Sequence, residues 1–321
     1  MRILVSLILS FFIAGSAFAA EPCVVHKAAG PRLMRLEDAM AHDRFITYNP
    51  SELKVIDGMI TPASKESIRA DLTKLRSHFD GIITYSARDG NEYVADVAAE
   101  LGYKALIIGL WTPSDPEEIR NALKMVKTHP KLVVGMSLGN ELILGKRSTW
   151  KQLGQYLTLM RARLPDMPLT VTEPFAQFLD DDSSDVRDSL DFLLVNVHPI
   201  FESWFGTAGP DNWADFVVKV TGKLADAYCG PILVKETGVP SGPTEKGFTP
   251  EKQAAFWKAL QAQMKPSKSA AYAWFSAFDA PWRISDFNPM GNNHPEEAYW
   301  GLYTDKGAPK PVVDVIPQIK K

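Results

Sequence analysis

Two glutamates end apolar runs and are the first candidates for chemistry. Glu141 ends the run VVGMSLGNE (133–141), and Glu236 ends PILVKE (231–236). Two carboxylates that face each other at about 5–5.5 Å can act as acid/base and nucleophile, as in retaining cleavage of a glycosidic bond. The alternative is that each glutamate is exposed or caps a helix, which fits less well because neither directly begins a helix.

The first run also contains a serine motif with a different chemistry. Residues 135–139, GMSLG, have the G-x-S-x-G spacing of a serine-hydrolase nucleophile elbow. The chain order Ser137, Asp279, His294 also matches a hydrolase triad. An elbow needs a helix directly after its serine, however, and the next helical segment begins only near Thr149. We predict a packing role for Ser137 and keep a serine esterase as a rival hypothesis.

The fold must bring these residues together, and the sequence pattern predicts alternating strands and helices. Eight strand-like segments recur about every 30 residues with helical segments between them, the pattern of a (β/α)8 barrel. The fold class is therefore α/β, a single (β/α)8 TIM barrel over 44–321, with 21–43 as an extension packed under or beside it. A doubly wound open sheet is the alternative, which usually has fewer strands. Strands are predicted at 44–50, 81–87, 104–112, 133–144, 169–174, 192–199, 231–240 and 269–282, and helices at 64–79, 92–102, 116–129, 149–164, 183–190, 213–228, from Thr249 onward and at 312–320.

Strand alternation assigns faces in the fourth strand. Val134, Met136 and Leu138 are expected to face the surrounding helices, since successive side chains point to opposite faces. The small residues between them then face the barrel interior. Glu141 shares that inner face and should emerge at the C-terminal mouth, where active sites of TIM barrels lie.

The same argument applied to the seventh strand places the second glutamate. Glu236 is expected to share the inward face with Ile232 and Val234, whereas Lys235 should point outward. Because the fourth and seventh strands are three apart, Glu141 and Glu236 are expected to face each other across the mouth.

Aromatic residues gather at or near the predicted strand ends. Sugar rings present apolar C–H faces that stack on aromatic rings, and His and Asn groups can bond hydroxyls. We therefore predict a polysaccharide or oligosaccharide partner, although for Tyr85 and Trp274 a core position is equally compatible. The aromatic set comprises Tyr48, Tyr85, Trp111, His198, Trp274, Phe278 and Trp282.

The first 20 residues are typical of a secretory signal peptide. Arg2 precedes an almost wholly apolar stretch (3–13), and Ala17-Phe18-Ala19 has the small-x-small form of a cleavage site. An uncleaved anchor is the alternative, but the stretch is short for a membrane span. We expect an exported protein, periplasmic or secreted, with no membrane segment after cleavage.

The composition limits which partners and cofactors the protein is expected to bind. A net charge of -3 at pH 7 offers no basic field for a nucleic acid. The histidines lack metal-ligand spacing, and the acidic run at 180–185 lacks the glycine and glutamate of a calcium loop, so we expect no metal and no cofactor. Cys23 and Cys229 can pair in an oxidising compartment, two free thiols being the alternative. We expect a monomer.

Five segments together resemble glycoside hydrolase family 17, the β-1,3-glucanases with catalytic glutamates after strands four and seven. The resemblance covers nearly the whole chain after the signal peptide, and the motifs occur in the family's order. They are GNE (139–141), similar to the acid/base motif; NVHP (196–199), similar to a strand-six segment; ETGVPS (236–241), similar to the nucleophile motif; and FDAPW (278–282) and EAYWGLY (297–303), followed by Lys310, similar to C-terminal elements.

The resemblance implies roles for individual residues. Glu141 would be the general acid/base and Glu236 the nucleophile, while Asn140 would bond the 2-hydroxyl of the sugar. Asp279 and Glu297 would be supporting polar residues that steer the nucleophile's charge or bind hydroxyls.

Two positions depart from the family pattern. Val239 stands where an aromatic residue is usual, which removes a stacking ring near the cleaved bond. Lys235 stands where a small residue is usual, and its cation can lower the pKa of Glu236 at close range.

We therefore expect a retaining glycoside hydrolase that cleaves β-1,3-linked glucan by double displacement. The loops after most strands look short, which predicts an open cleft and endo-type cleavage. A glucan transglycosylase would use the same residues with another glucan chain as acceptor, so that alternative stays open. The rival from another class is a non-catalytic barrel that only binds glucan.

Overall fold

Eight parallel strands close a barrel in the computed structural model, which describes residues 30–284 and 294–319. The strands β2 and β3 form an antiparallel hairpin, and the other eight pair in the barrel, where β10 closes back onto β1. The predicted single (β/α)8 barrel is confirmed, whereas the hairpin was not predicted. The strands are β1 (Phe45–Tyr48), β2 (Lys54–Ile56), β3 (Met59–Thr61), β4 (Gly81–Thr84), β5 (Ala105–Leu110), β6 (Val133–Asn140), β7 (Leu169–Pro174), β8 (Leu193–Asn196), β9 (Ile232–Glu236) and β10 (Ala270–Trp274).

Helices follow the barrel strands, and four of those described begin at a Ser, Asp or Thr side chain that caps the helix. Thr149 and Gln152 form a reciprocal capping box, and Thr249 accepts a hydrogen bond from the backbone N–H of Lys252. The predicted helix at 183–190 is only a short helix, and the predicted last helix is a 3-10 turn, Pro311–Val315. The helices are α1 (Gly30–His42), α2 (Lys65–Leu75), α3 (Val94–Glu100), α4 (Pro116–Thr128), α5 (Trp150–Arg163), α6 (Phe175–Leu179), α7 (Ser184–Arg187), α8 (Pro210–Ala227) and α9 (Pro250–Gln263).

The helix α1 closes the N-terminal end of the barrel. Its buried residues Leu33, Leu36, Ala39 and Met40 form one apolar cluster with side chains of the barrel interior, among them Phe45 near the start of β1. Full burial of a side chain such as Leu36 contributes roughly 1.5–3 kcal/mol. This packing leaves the opposite, C-terminal mouth as the accessible end.

The face prediction for β6 was correct except at Val134. Met136 and Leu138 belong to the outer core between strands and helices, as predicted, but Val134 lies in the interior cluster. The cause is a bulge: Leu106 pairs with Val133 and the next residue of β5, Ile107, pairs with Gly135. The extra residue turns inward and resets the alternation that follows.

The faces predicted for β9 were wrong for Ile232, Val234 and Lys235. Ile232 and Val234 lie in the outer core and Leu233 in the interior, the reverse of the prediction. Register against β8 slips after Val234, so that Glu236 pairs with Asn196 and Lys235 is the extra residue. The bulge brings both Lys235 and Glu236 to the mouth.

The predicted signal peptide and Cys23 lie outside the described residues, whereas Cys229 is disulfide-bonded. None of the helices in the described part of the chain is long and apolar enough to cross a membrane.

Candidate active site

Glu141 directly follows β6 and is turned into the mouth by an unusual backbone. Its φ is 52°, in the left-handed region that few non-glycine residues adopt. The backbone N–H donates to Thr172 O at 2.8 Å, and carboxylate Oε1 accepts a 2.8 Å bond from Asn196 Nδ2. Such backbone strain persists where surrounding structure enforces it, often at functional sites.

The loop after Glu141 is held by a second buried carboxylate. Glu173, at the end of β7, accepts backbone bonds from Ile143 at 2.8 Å and from Leu144 at 3.3 Å and is 1% exposed. Burial, opposed in part by these hydrogen bonds, raises the pKa of Glu173 to about 7, and the charge of Glu141 adds to the rise. Glu173 thus fixes the loop that carries Glu141.

Glu236 ends β9 and is buried among basic side chains. Its Oε2 lies 3.5 Å from His198 Nε2, and its Oε1 lies 3.6 Å from Lys235 Nζ. The charge of Arg283 also acts on this carboxylate. Asn196 links the two glutamates, because its side chain binds Glu141 and its backbone pairs with that of Glu236.

The two glutamates have pKa values displaced in opposite directions. Burial raises the pKa of Glu141, and the nearby charge of Glu236 raises it further. Burial alone would also raise the pKa of Glu236, but the hydrogen bond from His198 and the charges of Lys235 and Arg283 outweigh it and lower the value to about 2. At mildly acidic pH, Glu236 is therefore ionised while Glu141 can hold a proton, the division that an acid and a nucleophile require.

Aromatic rings form the floor beside Glu236. Tyr85, Phe275 and Trp300 make one buried cluster, and the His198 ring lies 5.5 Å from Phe275 and 5.1 Å from Trp300. At the rim Trp111 is 43% exposed, and Arg147 stacks on it at 4.8 Å. A sugar ring can stack with its apolar C–H face on the exposed ring of Trp111.

Three predicted residues lie close to Glu236, and a fourth, Glu297, is linked to it through Arg283. Tyr85 faces Lys235, Asn140 accepts a hydrogen bond from Lys235, and His198 approaches Glu236 directly. Trp282 is half-buried in the 3-10 turn Pro281–Ile284. Arg283, the next residue of that turn, forms an ion pair with Glu297 at 2.7 Å. Glu297 is thus one contact removed from the nucleophile.

Two predicted substrate-binding residues belong elsewhere. Tyr48 is fully buried in the outer core, and its hydroxyl donates to Asp71 at 2.9 Å, so no surface remains for a sugar. Asp279 accepts bonds from Lys310 Nζ at 2.6 Å and from the backbone N–H of Gly301 at 2.9 Å. These contacts assign Asp279 to holding the chain after β10.

Other aromatic and apolar positions are also core positions. Trp274 is fully buried and stacks on Trp257 at 4.2 Å, and Phe278 packs in the same outer core. Val239, the departure from the family pattern, is buried in that core as well.

Ser137 has no environment for nucleophilic chemistry. It is buried within β6, and its hydroxyl bonds Gly139 O at 3.2 Å and Thr172 Oγ1 at 2.9 Å. An elbow serine is exposed on a turn between strand and helix, which this position is not. The structure therefore contradicts the esterase hypothesis.

Sequence reasoning gave no role to Asn196, Glu173, Arg283, Phe275 or Trp300. Asn196 and Trp300 lie inside the NVHP and EAYWGLY motifs, and Glu173 is the penultimate residue of the strand LTVTEP. The position of these three residues at strand ends or in motifs was therefore a usable signal. Within the described residues, no group of three His, Cys, Asp or Glu is arranged to hold a metal ion.

A family model and a curated relative each match most of the chain. The model of the BtgE/BtgC glycoside hydrolase domain matches residues 46–301. A glucan 1,3-beta-glucosidase of Arthroderma benhamiae is 25% identical over 258 residues, which are 75% of this chain and 82% of that protein.

Two solved structures share the fold. A glycoside hydrolase family 17 beta-1,3-glucanosyltransferase from Rhizomucor miehei has a TM-score of 0.61 at 20% identity and covers 84% of this chain and 95% of its own. An endo-laminarinase from Formosa has a TM-score of 0.67 at 18% identity, over 84% and 85% of the two chains. The chain belongs to the BtgE/BtgC glycoside hydrolase family and is a glycosidase.

Proposed function

We propose that this protein is a retaining glycoside hydrolase that cleaves β-1,3-linked glucan, with Glu236 as nucleophile and Glu141 as general acid/base. The observation that carries the proposal is the pair of glutamates at the mouth whose pKa values are displaced in opposite directions. Environments that separate the pKa values of two carboxyl groups assign the acid and the nucleophile between them.

The reaction takes two displacements. In the first, a carboxylate oxygen of Glu236 attacks the anomeric carbon while Glu141 donates its proton to the glycosidic oxygen, which leaves with the C–O electron pair. In the second, Glu141 takes a proton from water, whose oxygen attacks the anomeric carbon and releases Glu236 as a carboxylate. Each step inverts the anomeric carbon, so the product retains the configuration of the substrate.

The substrate assignment rests on chemistry at the mouth and on the relatives. Trp111 offers an exposed apolar face at the rim, while Asn140 and His198 offer groups that bond hydroxyls. Three similar proteins carry names that specify β-1,3-glucan or laminarin. The sequence predicted short loops, but among the connections to the next α-helix only those after β5 and β7 are short. The proposed internal cleavage is therefore supported only by the relative that is named an endo-laminarinase.

Transfer to a second glucan chain is the alternative outcome of the same chemistry. The relative from Rhizomucor miehei is named a glucanosyltransferase, and the acceptor enters only in the second displacement. A sugar hydroxyl in place of water would require no change in the roles of Glu141 and Glu236.

We further propose that the protein acts after export, as a monomer and without a nucleic-acid partner. The signal-like residues 1–20 support export, and the net charge of -3 supports the absence of a nucleic-acid role.

Product analysis of three matched variants tests the function. Wild type, Glu141→Gln, Glu236→Gln and the exposed control Glu66→Gln are incubated with β-1,3-gluco-oligosaccharides, and the products are separated by chromatography. Shorter products from wild type and the control, absent with the two site variants, support hydrolysis, and products longer than the input indicate transfer. Binding of the oligosaccharides with no products from wild type would support the non-catalytic barrel instead.

A further inference from the structure

Lys235 is a buried cation at the centre of the site. The bulge in β9 turns it inward, and only 2% of its side chain is exposed. Its Nζ lies 2.6 Å from Asn140 Oδ1, 3.6 Å from Glu236 Oε1 and 3.9 Å from the centroid of the Tyr85 ring. The ammonium group thus joins the end of β6 to the end of β9.

Burial of this ammonium group is costly and is offset only by its surroundings. Burial lowers the pKa of Lys235 to about 8, and the charges of Glu236 and Glu141 limit the fall. Lys235 therefore remains mostly protonated at neutral pH. A methionine would fill a similar volume without this cost, which indicates that the charge has a use at this position.

Lys235 also determines which way the Asn140 amide faces. An ammonium group only donates hydrogen bonds, so the Asn140 atom at 2.6 Å must be the oxygen. The Nδ2 group is then directed away from Lys235. Among the described residues no acceptor takes a hydrogen bond from Nδ2, which leaves it available to a sugar hydroxyl.

We propose that Lys235 is a positioning residue, which holds Asn140 with its amide N–H toward the sugar and balances the negative charge of Glu236. The inference rests on the proposed function and extends it to a residue that does not itself touch the substrate.

The ammonium group of Lys235 is one of several groups that act on the Glu236 carboxylate. His198 and Arg283 are the other basic side chains that act on this carboxylate, and Glu141 and the Tyr85 hydroxyl also interact with it. Loss of Lys235 removes one of the cations that keep Glu236 ionised. The Glu236 carboxylate should then take up a proton at higher pH.

The pH profile of kcat/KM on β-1,3-gluco-oligosaccharides tests the charge effect. In Lys235→Met the acid limb should move up by about one pH unit, because one pKa unit corresponds to the loss of a modest ionic interaction. The matched control is Lys223→Met, which removes an exposed lysine of α8 and should leave the acid limb unchanged. An unchanged acid limb in Lys235→Met would overturn the proposal.

A double-mutant cycle with Asn140→Ala tests the orienting effect. If Lys235 acts through Asn140, Asn140→Ala should reduce kcat/KM about tenfold in wild type but less than about threefold in Lys235→Met. Equal reductions in both backgrounds would contradict this part of the proposal.

A substrate-free measurement separates failure of this inference from failure of the proposed function. The Glu236 carboxyl is titrated by carbon-13 NMR in wild type and Lys235→Met, with Glu236→Gln to assign its signal, and thermal unfolding checks that each variant is folded. A higher Glu236 pKa in the variant supports the role of Lys235 even if wild type is inactive on β-1,3-glucan. Identical titrations in a folded variant overturn it.

Discussion

Asn196 donates a 2.8 Å hydrogen bond from Nδ2 to Oε1 of Glu141, across the mouth from β8 to the end of β6. The same residue pairs through its backbone with Glu236, so one asparagine sets the relative position of both carboxylates. Asn196 thus couples the positions of the two glutamates. The predictions below distinguish effects on side-chain position from effects on pKa.

Removal of the Asn196 amide should impair the acid/base more than substrate binding. Asn196→Ala removes a hydrogen bond that favours the ionised form of Glu141 and fixes its orientation, so kcat should fall about 10- to 100-fold with a smaller change in KM. Steady-state kinetics measures both constants. The exposed control Asn212→Ala should match wild type, and an Asn196→Ala enzyme with normal kcat would refute this role.

The pH dependence should follow from opposite displacements of two pKa values. Activity needs Glu236 ionised, a condition that fails only as pH falls toward about 2, and Glu141 protonated, a condition that fails above its raised pKa. A profile of kcat/KM should therefore be bell-shaped, with an alkaline limb above 4.5, the ordinary glutamate value. An alkaline limb at or below that value would be inconsistent with Glu141 as the acid.

Glu173 should make stability pH-dependent in a defined direction. Its pKa is about 7 when folded and 4.5 ordinarily, so its contribution is fully present below pH 4.5 and is lost as pH rises through 7. The free energy of unfolding of Glu173→Gln relative to wild type should thus rise by about 2–3 kcal/mol between pH 5 and pH 8. Urea unfolding at the two pH values measures this change, and a constant difference would argue against a buried neutral Glu173.

Tyr48 should contribute to stability but not to catalysis. Tyr48→Phe removes the hydroxyl that donates to Asp71, which should lower the free energy of unfolding by about 1–2 kcal/mol. Because the ring is fully buried away from the mouth, kcat/KM should stay within about twofold of wild type. A larger loss of kcat/KM in a folded variant would restore the substrate-binding role predicted from the sequence.

The barrel, and the position of both glutamates at the C-terminal ends of its strands, could be predicted because they depend on sequence patterns that recur along the chain. Strand and helix periodicity recur eight times, and Glu141 and Glu236 each end an apolar run. The face of Lys235 could not be predicted, since a single bulge in β9 reverses the alternation and depends on pairing with β8. Tyr48 was misplaced for a related reason: a residue at a strand end can face the helices as readily as the mouth.

Trapping of the glycosyl-enzyme tests the central claim most directly. The enzyme is incubated with a 2-deoxy-2-fluoro glucosyl fluoride, which slows release of the intermediate, and its peptides are analysed by mass spectrometry. The account predicts one sugar adduct on the peptide that carries Glu236, and no adduct in Glu236→Gln. An adduct on another residue, or inversion of the product configuration by proton NMR without any adduct, would contradict it.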